Sequence, residues 1–135
     1  VVPSHGGNMR LYLESLRRLQ ELVTAHTRIL PGHGPPVLSI VVSDYIQHRE
    51  QREAQVHSKV EAAKAAGCTA SDLVRELYRD RYLPWEVKQA ATETVFNHLL
   101  HLAEKGCITR KGDADRNGLN ALWIASVRTA VAVAW

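Results

Sequence analysis

Residues 27–36 read Thr-Arg-Ile-Leu-Pro-Gly-His-Gly-Pro-Pro, and His33 at their centre is the side chain most suited to chemistry. The apolar pair Ile29-Leu30 delivers the imidazole between two glycines and two prolines. Such punctuation fixes a tight turn at a strand end and leaves little backbone around the ring. A metal ligand is presented in this way. One histidine cannot hold a metal, however, because zinc sites need three or four ligands. The plainer alternative is a Gly/Pro turn with a surface histidine, and spacing alone favours it.

Other reactive side chains are less suggestive. His98 and His101 stand three apart on a helical stretch, a metal-compatible spacing, but no carboxylate or cysteine nearby in sequence completes a set. A solvated helix face is expected for both. Cys68 and Cys107 are too few for a disulfide framework and lack a CxxC arrangement. Each sits beside a helix end in an apolar setting, so buried reduced thiols in a reducing intracellular compartment (cytoplasm or mitochondrial matrix) are expected. Neither a Gly-rich nucleotide loop nor a nucleophilic triad is found.

The elements that would position these residues follow from periodicity. Met9, Leu13, Leu16, Leu19 and Val23 form one stripe of an amphipathic helix over about 8–24. A short strand at 28–30 leads into the His33 turn. Tyr45, Arg49, Arg52, Val56 and Val60 mark one stripe of a long helix over about 39–65, stopped by Gly67. Thr69-Ala70-Ser71-Asp72 is a capping-box-like start for a helix facing inward through Leu73, Val74, Leu77 and Tyr78. Pro84 suits the opening of another helix, with Val87, Ala91, Val95, Leu99 and Leu102 inward and Gly106 as its left-handed end. Cys107–Arg110 and Leu119–Ala125 are strand candidates around a turn-rich 112–118 loop. At 135 residues, 45% hydrophobic and 23% charged, the chain fits one domain, or a half-domain plus a small one. The net charge of +3 is compatible with nucleic acid without demanding it.

Three ordered blocks carry a resemblance. Asn8-Met9-Arg10-Leu11-Tyr12-Leu13-Glu14-Ser15-Leu16, Ile29-Leu30-Pro31-Gly32-His33-Gly34-Pro35 and Asp44-Tyr45-Ile46-Gln47-His48-Arg49-Glu50-Gln51-Arg52-Glu53 resemble the C-terminal half of the beta-lactamase-like protein 2 family, hydrolases of the metallo-β-lactamase superfamily. A helical module over 56–110 follows where that family carries a winged helix. The resemblance implies a mostly α chain: the closing αβα segment of a metallo-β-lactamase fold (1–38), a winged helix of three helices plus a β-hairpin (39–125, its first helix shared) and a tail (126–135). It implies that His33 is a ligand of the second of two zinc ions. It also implies a metal-dependent endoribonuclease acting on single-stranded RNA, with acyl-thioesterases in the same superfamily as the alternative.

The superfamily's His-x-His-x-Asp-His motif does not occur in this sequence. The chain is therefore expected to be a fragment inactive by itself, its partner the missing N-terminal half of the hydrolase. The apolar faces of the first helix and strand should then be left uncovered. His48 and Arg49, in the third block, are candidates for contacting a phosphate or acyl substrate, and an Arg49–Glu53 ion pair is the structural alternative. Arg110, Lys111 and Arg116 are candidate nucleic-acid contacts on the wing, diluted by Asp113 and Asp115. A free-standing winged-helix interaction module is the non-enzymatic alternative. The apolar stretch at 121–135 is too short to span a bilayer and is interrupted by Arg128. It is readable as an extra strand, a membrane-surface or partner contact, or out-of-frame sequence.

Overall fold

The computed structural model describes residues 7–112 and 118–126. Along them run α1 (Met9–Leu22), β1 (Arg28–Ile29), β2 (Val37–Leu38), α2 (Ile40–Ala63), α3 (Ala70–Leu77), α4 (Trp85–Glu104), β3 (Ile108–Lys111) and β4 (Leu122–Ala125). The protein is mostly helical with small sheets. Local chemistry sets several of the helix ends. Asn8 caps α1 by accepting from the Leu11 amide at 2.9 Å. Thr69 and Asp72 cap α3 reciprocally, the Thr69 hydroxyl taking the Asp72 amide while the Asp72 carboxylate takes the Thr69 amide. Gly106, at φ +73°, ends α4 with two reversed bonds, its own amide to the Ala103 carbonyl and the Cys107 amide to that of Leu102.

The main core lies among the C-terminal half of α2, α3, α4 and the β3–β4 hairpin. Val56, Val60, Leu73, Val74, Val95, Leu99, Leu102, Ile108 and Trp123 are buried in it. Trp123 sits against Phe96, with ring centroids 6.4 Å apart and tilted by 59°. The hairpin is antiparallel, Ile108 opposite Ala125 and Lys111 opposite Leu122. Cys68 adds a bridge to β4 by exchanging backbone hydrogen bonds with Trp123 at 3.1 and 2.9 Å. Gly67 permits that approach: its φ is +74°, and a Cβ there would stand 3.0 Å from the Trp123 carbonyl oxygen. Cys68 is buried and unpaired, and burial first, then the Asp72 charge, push its thiol up to about 11.

A smaller apolar contact joins α1 to α2 and α4 through buried Met9, Leu13, Val42 and Ile46. The inward stripe of α2 is thus Val42, Ile46, Glu53, Val56 and Val60, whereas Tyr45 is exposed. Val56 and Val60 of the stripe read from the sequence face inward while Tyr45 does not, because α1 lands on Val42 and Ile46. Val87, expected inward on α4, is also exposed, since the core begins deeper along that helix, at Val95. Among the described residues no helix is long and apolar enough to cross a membrane.

Candidate functional site

The His33 turn is held at its base and open at its tip. β1 and β2 pair over two residues each, Arg28 with Leu38 and Ile29 with Val37; no sequence signal marked this second strand. Buried Ser39 ties the hairpin to the end of α1, its hydroxyl donating to the Thr24 carbonyl at 2.6 Å and its amide to that of Thr27 at 3.1 Å. Residues 30–36 then project outward, all of them exposed. Gly34 takes φ +91°, and nothing stands within 4 Å of where a Cβ would sit on Gly32 or Gly34. Around this tip the apolar side chains of Leu22, Leu30, Leu38 and Ile40 are uncovered, Leu22 and Leu30 at 82% and 77%.

The residues present do not make a metal centre. Among the described residues no three His, Cys, Asp or Glu side chains are placed to hold an ion. His33 stands alone at the tip, which falls short of the three or four donors zinc needs. His48 is exposed on α2, and no hydrogen bond or ion pair among the described residues joins it to His33. Arg49 is half-buried and turned towards α4, where its charge acts on His98. The alternative Arg49–Glu53 pair does not form, and the Nε of Arg49 has no hydrogen-bond partner among the described residues.

Glu53 has different partners, and they form the charged cluster that sequence reasoning missed. Its carboxylate lies in the seam between α2 and α4, only 7% exposed. His101 Nδ1 is 2.6 Å from Oε2, and Lys105 Nζ donates to Oε1 at 2.7 Å. His98 Nδ1 stands 3.5 Å from Oε2, at the limit of hydrogen-bonding distance, and among the described residues neither nitrogen of that fully buried ring has a partner of good hydrogen-bond geometry. The solvated face expected for His98 and His101 is thus an inward one. Burial raises the Glu53 pKa, but His98, Lys105 and His101 together outweigh it and bring the group down to about 2. Burial also lowers the pKa of His98, against the pull of Glu53. This arrangement can clamp two helices. With its carboxylate oxygens already engaged, it offers no open centre for a ligand. The available signal was phase: Glu53 continues the Val42-Ile46-Val56-Val60 stripe, and His98, His101 and Lys105 share one stripe of α4.

On the β3–β4 hairpin, the candidate cations have partners within the chain. The Arg110 guanidinium lies 5.2 Å from the Trp123 ring centroid, and Lys111 Nζ donates to the carbonyls of Ala65 and Ala66. Arg116 falls outside the described residues.

No family model matches the chain. Two curated relatives do. A Beta-lactamase-like protein 2 homolog of Caenorhabditis elegans is 33% identical over 99 residues, covering 72% of this chain and 32% of the relative. One of Drosophila melanogaster is 29% identical over 106 residues, covering 77% and 35%. Among solved structures, a Beta-lactamase domain protein from Burkholderia ambifaria superposes with a TM-score of 0.73 at 23% identity, over 87% of this chain and 33% of that one. A metallo-beta-lactamase family protein from Thermus thermophilus gives 0.57 at 22%, over 84% and 32%. The chain shares the fold of the matching third of these metallo-β-lactamase structures. The sequence relationship is to the beta-lactamase-like protein 2 homologues, and the chain spans about a third of their length.

Proposed function

We propose that this chain is the C-terminal segment of a zinc-dependent hydrolase that cleaves single-stranded RNA, with His33 as one ligand of a metal site whose other donors lie outside the chain. The observation that carries the reading is the His33 turn. Its base is fastened through Ser39, while its tip and the flanking Leu22, Leu30, Leu38 and Ile40 stand open. A rigid turn with an uncovered apolar surround fits a surface that packs against the rest of a domain and delivers the imidazole to a shared site. In this reading residues 1–38 close the hydrolase domain and 39–125 form a winged helix. His48 and Arg49 are, in the same reading, the candidates for contacting the phosphate or acyl group of the substrate.

The test is made on the longer protein that contains this segment. Wild type and His33→Ala are compared for zinc content by atomic emission and for cleavage of a labelled single-stranded RNA and of an acyl thioester. The expected outcome is zinc below the wild-type content and near-complete loss of RNA cleavage. Unchanged zinc and rate would remove His33 from the site. Cleavage of the thioester alone would move the protein to the thioesterase branch of the superfamily.

A second reading rests on the core that closes on itself from Val56 to Trp123. That unit would serve as a free-standing interaction module. A zinc-dependent rise in the melting temperature of the chain, lost in His33→Ala, counts against it.

A further inference from the structure

The first six residues of α4, Trp85–Ala90, all lie outside the core. Trp85 is 66% exposed, and Tyr82, just before the helix, is 91% exposed. Between them Leu83-Pro84 fixes the backbone, Pro84 taking φ −52° at the helix start. Behind Trp85 is a cavity of about 330 Å³, lined among others by Lys88, Gln89 and Glu93 of α4 and by Leu119 and Asn120 across from them. That volume is at the lower end of ligand-pocket sizes, ample for one flat heterocycle. Lys88 lines that cavity with Trp85, and Arg79 and Arg81 are exposed just ahead of Tyr82 in the chain; no ion pair joins any of the three to another described residue.

Two rigid aromatic faces contribute little here to holding the fold together. Near them in the cavity or the chain are the amides of Gln89 and Asn120 and cations with no ion pair among the described residues, a set suited to the edges and phosphates of a nucleotide. Base–aromatic stacking needs a free ring face, and a base offers one only when it is out of a duplex. A duplex would also bring dense phosphate charge to Glu86 and Glu93 on the same helix. Asp80 and Glu86 offset much of the charge of Arg79, Arg81 and Lys88, so attraction to phosphate cannot carry the binding by itself.

We propose that Trp85 and Tyr82, with the cavity behind Trp85, form a stacking site for an unpaired base of single-stranded RNA, its phosphates met by Lys88, Arg81 and Arg79. The site rests on the hydrolase reading for the origin of its strand and adds to it the residues that would hold that strand. It lies on α4, separate from the His33 turn and from the hairpin cations.

The chain is titrated into a fluorescein-labelled single-stranded RNA 12-mer, the matching DNA strand and the RNA duplex, each followed by anisotropy. Both single strands should bind and the duplex much less, since stacking ignores the sugar but needs an open base. Trp85→Ala should weaken single-strand binding about tenfold, Trp85→Phe should restore most of it, and Tyr82→Ala should cost a smaller factor. With at most three phosphate contacts, the slope of log affinity against log salt should not exceed about 2 in magnitude. Melting curves should be unchanged in all three variants, which keeps loss of binding separate from loss of fold. No single-strand binding, equal binding by Trp85→Ala, or equal binding of duplex would each overturn the proposal. In the longer protein, RNA cleavage whose KM ignores Trp85→Ala would overturn this site and leave the hydrolase reading intact. Trp85-dependent binding in a protein that cleaves only thioesters would do the reverse.

Discussion

Replacing Glu53 with glutamine tests whether a charge, rather than a shape, joins α2 to α4. The substitution keeps the volume and one acceptor but removes the negative charge facing His98, His101 and Lys105. The fall of the Glu53 pKa from 4.5 to about 2 corresponds to about 3 kcal/mol of stability at neutral pH. Lys105 is 51% exposed in its side chain and can turn to water when its partner is lost. His101 is mostly buried and cannot escape as easily. Glu53→Gln should therefore lower unfolding free energy by about 2–3 kcal/mol at pH 7, measured by urea denaturation. The sign of the pH dependence is fixed. A carboxylate with a depressed folded-state pKa contributes fully above its unfolded value of 4.5 and loses that contribution as pH falls through about 2. The gap between wild type and Glu53→Gln should thus shrink steadily from pH 4.5 to pH 2.

His98 acts in a higher window. Its folded-state pKa lies below the ordinary 6.5, because burial disfavours the imidazolium more than Glu53 favours it. The unfolded chain therefore takes up that proton first, and stability falls as pH drops below 6.5. Wild type should lose stability in two stages on acidification, the His98 stage beginning near pH 6.5 and the Glu53 stage near 4.5. His98→Phe should remove the first stage and weaken the second, since His98 is one of the groups that hold the Glu53 pKa down. A pH-independent gap for Glu53→Gln, or one under about 1 kcal/mol at pH 7, would refute the clamp.

Three other expectations follow from local geometry. Thr69→Ala removes the cap shared with Asp72 and should cost about 1 kcal/mol in chemical denaturation. Gly67→Ala forces a side chain into φ +74° and against the Trp123 carbonyl, so it should cost more than about 1 kcal/mol. It should also lose amide-exchange protection at Cys68 and Trp123. The double change Leu22→Glu and Leu30→Glu should reduce self-association in sedimentation velocity while leaving the melting temperature within a few degrees, because both side chains are largely exposed.

What the sequence made legible was what local chemistry decides. Thr69 and Asp72 announce the start of α3, Gly106 the end of α4 and Gly67 the stop after α2, since caps and left-handed glycines act within a turn of themselves. The Gly/Pro frame around His33 likewise marked an exposed turn. Pairings set by distant chain segments were not legible. Glu53 meets Lys105 across 52 positions and His101 across 48. Reading along either helix alone, a histidine pair looks like a wet face. The rotation of α2 was not legible for the same reason: Val42 and Ile46 turn inward because α1 covers them, and Tyr45 gains nothing by doing so. The two-residue β2 strand was too short for alternation to register. Val87 lay on a helix whose periodicity pointed it inward, but α4 packs on the core only from Ala91 onward and is fully buried only from Val95.

The two ends of α2 therefore live in different environments, and this bears on how the chain behaves. Its C-terminal half contributes Val56 and Val60 to a core shared with α3, α4 and the β3–β4 hairpin. Its N-terminal half carries α1 and the His33 hairpin on a narrower contact, with Leu22, Leu30, Leu38 and Ile40 facing out. Opening free energy follows buried apolar contact. Amide exchange should consequently be slow at Leu99 and Trp123 and markedly faster at Ile29 and Leu38. A covering surface at the His33 turn would protect that hairpin selectively, since it would bury the side chains now uncovered there. Glu53 lies at the junction of the two regimes, where α2 passes from the hairpin's support to the closed core. A charge clamped at that point holds the helix in one register, and so fixes where the His33 turn stands relative to the core.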